Sequence, residues 1–143
     1  MVTARTSQRR TILVVDDEPE MLSLFKEILS SEATEILPAG SGAEALAIAQ
    51  RTPLDLVILD VKLPDVSGTE VLRRLRKMDD RLPVVIVTAY GSADSVRASM
   101  RLGAFDYLTK PFDNAEVRRV AREALMVGRA RRSILSEVSR GRA

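Results

Sequence analysis

A chain of 143 residues is long enough for one domain with a full core and too short for two ordinary ones. Hydrophobic content of 45% with only 3% aromatics suits an α/β domain built on Val, Leu, Ile and Ala, and the sequence offers neither a membrane-spanning stretch nor a signal-peptide core, so a cytoplasmic location is expected. Zero Cys and zero His remove disulfides, thiol chemistry, imidazole bases and the commonest metal ligands, which leaves carboxylates, hydroxyls and lysines to carry any chemistry.

The first ten residues carry Arg5, Arg9 and Arg10 among small polar neighbours and read as a disordered lead-in. TILVV, from Thr11, reads as a first strand and runs into Asp16 and Asp17. Met21, Leu22, Phe25, Ile28 and Leu29 then share a helical face. TEILP, from Thr34, is a weaker strand, followed by the turn GSGAEA and a helical face of Ala45, Leu46 and Ala49. LDLVIL, from Leu54, reads as a buried strand that stops on Asp60 and breaks into a turn rich in Pro, Asp and Gly, after which Val71, Leu72 and Leu75 share a face. PVVIVT, from Pro83, ends on Thr88. The next helical face is expected to carry Val96, Met100 and Leu102, with Gly103 at its C-cap. FDYLT, from Phe105, ends on Thr109 and Lys110, and Asp113 or Asn114 is placed to cap a last helix with Glu116 in its first turn.

Strand and helix alternating five times predict a doubly wound α/β domain with a five-stranded parallel sheet. Ligands of such sheets sit outside the carboxyl ends of the strands. Asp16, Asp17, Asp60, Thr88 and Lys110 all fall at those ends, so three carboxylates, a hydroxyl and an ammonium are expected to converge. Three close acids repel, which predicts a raised pKa for at least one of them. The common remedy is a hard divalent cation with oxygen ligands, Mg2+ above all.

The turn GSGAEA, Gly40 to Ala45, matches the dinucleotide pattern G-x-G-x-x-A. It follows the second strand rather than the first, lies after Pro38, and sits near acids that would repel a pyrophosphate. Glycines opening a helix explain it better.

LVVDDEP, VILDVKLPDVSG, VTAYG and FDYLTKPF, in that order and spacing, resemble the receiver domains of bacterial two-component response regulators over Ile12 to about Leu125. VTAYG with MRLGAFDYLTKPFD is most similar to receivers that precede the ATPase module of enhancer-binding (NtrC-type) transcription activators. The resemblance implies a flavodoxin-like (CheY-like) (βα)5 fold with Asp60 as phosphoacceptor. It implies Mg2+ held by the carboxylates of Asp17 and Asp60 and the backbone carbonyl of Lys62, with Asp16 acting largely through water. Lys110 would pair with the phosphoryl group, Thr88 would hydrogen-bond it, and Tyr107 would turn inward when Thr88 moves. A cis bond between Lys110 and Pro111 is implied as well.

With no His in the chain, the phosphohistidine donor is expected on a sensor histidine kinase or phosphotransfer protein. The expected role is a switch rather than an enzyme, with at most slow autophosphorylation from small acyl phosphates and slow autodephosphorylation. A Mg-dependent aspartyl-phosphate phosphatase is the rival, but it needs a second carboxylate two residues after the nucleophile, where this chain has Lys62. A stand-alone receiver acting by protein contact is the alternative within the family.

The overall +2 charge conceals an asymmetry: Thr11 to Val117 holds 11 Lys and Arg against 18 Asp and Glu, whereas Arg118 to Ala143 holds eight Arg against Glu123 and Glu137. Val117, Val120, Ala124, Val127, Arg131, Ile134 and Val138 step by three and four, a heptad pattern that reads either as a solvated basic helix that frays or as a linker helix that pairs two receivers; with the face around Tyr107, a phosphorylation-dependent homodimer is expected. The expected organisation is thus a lead-in over 1–10, a receiver over 11–125 and a basic helical linker or tail over 126–143. The Arg129 to Arg132 cluster lacks a recognition-helix pattern and interleaved aromatics, so no direct nucleic-acid binding is expected, and no membrane contact.

Overall fold

The computed structural model describes residues 9–33, 35–89 and 93–141, and for 95 and 129–141 the backbone alone. The expected lead-in at 1–8, Thr34 of the second predicted strand, Tyr90 and Gly91 of VTAYG, and the heptad side chains of Arg131, Ile134 and Val138 lie outside the described residues.

The strands are β1 (Thr11–Val15), β2 (Glu35–Ala39), β3 (Leu56–Asp60), β4 (Val84–Thr88) and β5 (Asp106–Thr109); the helices are α1 (Pro19–Leu29), α2 (Gly42–Arg51), α3 (Gly68–Met78), α4 (Ala93–Arg101) and α5 (Asn114–Gly141). All strand pairs are parallel, in the order β2-β1-β3-β4-β5. This is the expected doubly wound fold, with strand boundaries moved by one or two residues.

Strict alternation of side chains explains why β1, β3 and β4 read as continuous apolar runs. Leu13, Val15, Val57, Leu59, Val84 and Ile86 face the layer containing α2 and α3, while Ile12, Val14, Leu56, Ile58, Val85 and Val87 face α1 and α5. Leu72 and Leu75 are fully buried, and truncating such a Leu to Ala costs about 2–5 kcal/mol. The second strand is weaker for a local reason. Pro38 lies within β2 opposite Val14, which is tolerated because β2 is an edge strand.

Helix ends follow the sequence signals. Ser41 and Ser67 cap α2 and α3 by accepting from Glu44 N and Glu70 N, and Asp113 rather than Asn114 caps α5, accepting from Ala115 N at 3.0 Å. At the end of α4, Gly103 has φ +98°, with Gly103 N donating to Met100 O and Ala104 N to Ser99 O, a left-handed cap that favours glycine. The buried face of α4 differs from expectation: Met100 is 42% exposed and Ser99 is buried in its place. The inward line of this helix runs through 96 and 99, one residue before Met100.

The last helix runs unbroken for 28 residues, about 42 Å at 1.5 Å per residue. Val117, Val120, Ala121, Ala124 and Leu125 pack into the core against the sheet, so the first half of the expected heptad is already occupied within the domain.

Candidate functional site

The strand order reverses between β1 and β3, where β1 leads to a helix on one face of the sheet and β3 to a helix on the other. The crevice at this switch point is the natural binding place of the fold. An open cleft of about 660 Å³ lies there, lined by Asp17, Glu18, Asp60, Lys62, Thr88 and Lys110, among others.

Asp16 leaves β1 with its N–H donating to Ala39 O at 3.0 Å, and its side chain is buried. Its Oδ1 accepts from Glu18 N at 2.9 Å and its Oδ2 from Lys110 Nζ at 3.1 Å. Asp60 ends β3, also buried; its Oδ1 accepts from Lys62 N at 2.9 Å and its Oδ2 from Lys110 Nζ at 2.9 Å. The Lys110 backbone N–H donates to Thr88 O at 2.8 Å, and the peptide bond from Lys110 to Pro111 is cis, as the resemblance implies. One ammonium therefore ties the ends of β1 and β3 to the end of β5.

The charges show what this arrangement costs. Burial pushes the Asp16 carboxyl above its ordinary value; the Glu18 N–H and Lys110 offset part of this, and the Asp60 charge adds to it. Burial alone would lower the Lys110 pKa, yet hydrogen bonds and charge from Asp60 and Asp16 hold it above its ordinary value. One acid is raised, as expected, but burial rather than mutual repulsion is the leading cause. Unlike Asp16 and Asp60, Asp17 is exposed to solvent.

Carboxylate oxygens of Asp16, Asp17 and Glu18 all lie within 4.8 Å of one another. Glu18 was not singled out from sequence, although it directly follows the Asp pair. Asp17, Asp60 and Lys62 line the same cleft, and both Asp16 oxygens are already engaged, in keeping with a role at one remove. This all-oxygen donor set fits a hard divalent cation. Tyr107 sits on β5 opposite Ile86, 42% exposed, and does not line the cleft; Thr88 on β4 does.

The glycine turn before α2 has its own explanation. Gly42 N and Ala43 N, the first N–H groups of α2, both donate at 2.9 Å to the carboxylate of Asp65, which comes from the loop after β3. Ser41 accepts from Glu44 N and Glu44 Oε1 accepts from Gly40 N, so the helix start is closed by the protein's own groups. The place a pyrophosphate would take is filled by a side chain.

Residues 12–122 match the response regulator receiver domain family. The chain is 38% identical to sporulation initiation phosphotransferase F of Bacillus subtilis (strain 168) over 114 residues, 80% of this chain and 92% of that protein. It is 36% identical to the response regulator protein PilR of Pseudomonas aeruginosa over 117 residues, 82% of this chain but only 26% of that protein. Among solved structures, the signal receiver domain of a putative LuxO repressor protein from Vibrio parahaemolyticus superposes with a TM-score of 0.84 at 30% identity, covering 88% of this chain and 97% of that one.

Proposed function

The chain belongs to the response regulator receiver domain family, and from that premise we propose that Asp60 accepts a phosphoryl group from a phosphohistidine on a partner kinase or phosphotransfer protein. The observation that carries this reading is the Lys110 ammonium, bonded to both Asp60 and Asp16 at the open end of the sheet, in a chain with no His of its own.

In the transfer, a carboxylate oxygen of Asp60 attacks phosphorus in line, the P–N bond to the donor imidazole breaks, and an acyl phosphate forms on Asp60. Lys110 exchanges its bond to the carboxylate for one to the phosphoryl oxygens. Asp17, Asp60 and the backbone carbonyl of Lys62 are the residues that would hold Mg2+, with Asp16 behind them. The ion supplies positive charge against the equatorial oxygens. The modification adds up to about two negative charges beside Thr88, whose hydroxyl donates to them. Thr88 and Tyr107 lie on the adjacent strands β4 and β5, the route by which Tyr107 turns inward and the outer face of β5 changes its association.

Lys62 stands where a phosphatase would carry its second carboxylate, so slow turnover at most is expected. A stand-alone receiver acting by protein contact is the second reading of the output, favoured by a relative that this chain covers almost end to end. An output on transcription is favoured instead by the match to PilR, most of whose length lies beyond the matched region.

Intact-mass measurement after incubation with a small acyl phosphate tests the site. One phosphoryl group is expected on the wild type with Mg2+, none in chelator, and none on Asp60→Asn. Labelling that persists in that variant would show the phosphoacceptor to be another residue.

A further inference from the structure

We infer that Asp65 is a positioning residue of the phosphoacceptor site, stapling the loop after β3 to the N-terminus of α2 and so fixing the backbone that presents Lys62 to the cleft. The inference rests on the reading of Asp60 and its Mg2+ site given above.

The loop between Asp60 and Gly68 is held at two places near its base. Lys62 N donates to Asp60 Oδ1 at 2.9 Å, and Gly68 N donates to Val61 O at 2.8 Å. Its middle, Lys62, Leu63 and Pro64, lines the cleft. The next residue is Asp65, which reaches 22 and 23 positions back along the chain to accept from Ala43 N and Gly42 N at 2.9 Å each, one bond to each carboxylate oxygen. The two N–H groups belong to the first turn of α2, the positive end of its dipole, and a carboxylate there is favoured twice over, by hydrogen bonds and by charge. Those bonds hold the Asp65 carboxyl below its ordinary value, so it is ionised wherever the site works.

The approach is built on both sides. A Cβ on Gly42 would collide with Val66 Cγ1, lie 2.9 Å from Val71 Cγ2, and crowd Asp65 Oδ1 at 3.4 Å. Bare backbone at Gly42 is what lets the loop close on the helix. Asp65 itself neither lines the cleft nor belongs to the cluster of acids near Asp16. Its effect on the metal passes through three residues of backbone, from Asp65 to the Lys62 carbonyl. Partners that orient a metal ligand without touching the ion commonly change metal affinity by about 10-fold or more.

The test separates this from mere helix capping. Ser41→Ala removes a hydrogen bond from the same helix start but leaves the loop untouched. Both Ser41→Ala and Asp65→Ala should melt below wild type. Only Asp65→Ala should raise the Mg2+ Kd, by about 10-fold in calorimetry or amide-shift titration, and slow phosphorylation more at limiting than at saturating Mg2+. If Asp65→Ala folds poorly, Asp65→Asn keeps one acceptor oxygen and should show a smaller shift in the same direction. An Mg2+ Kd in the Asp65 variants equal to that of Ser41→Ala overturns the inference while leaving Asp60 as phosphoacceptor. A wild type that neither binds Mg2+ nor takes phosphate at Asp60 overturns the underlying reading instead.

Discussion

Lys110 Nζ lies 2.9 Å from Asp60 Oδ2 and makes a second bond, 3.1 Å, to Asp16 Oδ2, with the Asp16 side chain 1% exposed and the Asp60 side chain 9%. Two buried carboxylates thus share one cation. The ammonium is the internal counterion of the acidic site and, on the proposed function, the group an incoming phosphoryl would draw away.

Replacing Lys110 with Met keeps most of the side chain's bulk and removes that charge. Two buried carboxylates then keep their backbone N–H donors but lose their shared counterion, and stability in chelator at neutral pH should fall by about 1–3 kcal/mol. Urea unfolding measures this. A variant as stable as wild type would mean that the ammonium compensates nothing.

Asp17 predicts the opposite profile because it is exposed at the rim of the cleft. In chelator, Asp17→Asn should melt close to wild type, within about 0.5 kcal/mol, since a solvated charge at this distance repels weakly. Wild type should gain thermal stability on adding Mg2+, which binds only the folded site, and the variant should gain much less. An equal response to the ion in both proteins removes Asp17 from the metal site.

The strand ends were legible because parallel strands covered on both faces must be apolar, so a charge that closes such a run stands out, as Asp60 does. The grip of Asp65 on α2 was not legible. Within KLPDVSG it reads as an ordinary turn acid, and nothing local reveals partners more than 20 residues away. The same holds for Glu32, which accepts from Arg122 through both oxygens across 90 positions. The periodicity of α5 is ambiguous for another reason. A stripe stepping by three and four looks alike whether it meets another chain or its own sheet, and Val117, Val120 and Ala124 meet the sheet.

Gly68 closes the base of the loop after Asp60, its N–H donating to Val61 O. A Cβ there would lie 2.6 Å from Asp60 O and 2.6 Å from Val61 Cα, both backbone atoms that cannot swing aside. Gly68→Ala should cost about 2 kcal/mol or more and slow phosphorylation as Asp60 shifts. Paired unfolding and labelling measurements check this. Unchanged labelling with unchanged stability would show that the loop has slack.

The Glu32 and Arg122 pair gives a pH dependence of known sign. The hydrogen bond from Arg122 holds the Glu32 carboxyl below its ordinary value despite burial. A depressed folded-state pKa contributes stability above the unfolded value, about 4.3 for Glu, and loses it as pH falls through the folded value. Arg122→Ala should therefore lower the urea midpoint at pH 7, and the gap to wild type should narrow as pH drops from about 5 to 3. A gap that stays constant over that range would assign the loss to packing of the Arg stem rather than to the pair.

The extension of α5 decides how self-association works. Gly128 lies against the domain, where a Cβ would approach Pro83 Cδ to 3.1 Å, so a cut after Gly128 spares this contact while a cut after Leu125 does not. Beyond it, residues 129–141 span fewer than two heptads, too short for a stable coiled coil by themselves. If copies pair, most of the energy must come from the domain face around Tyr107, with the tail adding to it. Truncation after Gly128 should accordingly leave domain stability within about 0.5 kcal/mol of wild type and phosphorylation at Asp60 intact. It should weaken dimerisation of the phosphorylated form without erasing the difference between phosphorylated and unmodified protein in sedimentation. A truncated protein whose association no longer responds to phosphorylation would move the switch from the β5 face to the tail, and the uncut chain sedimenting identically in both states would remove association as the output.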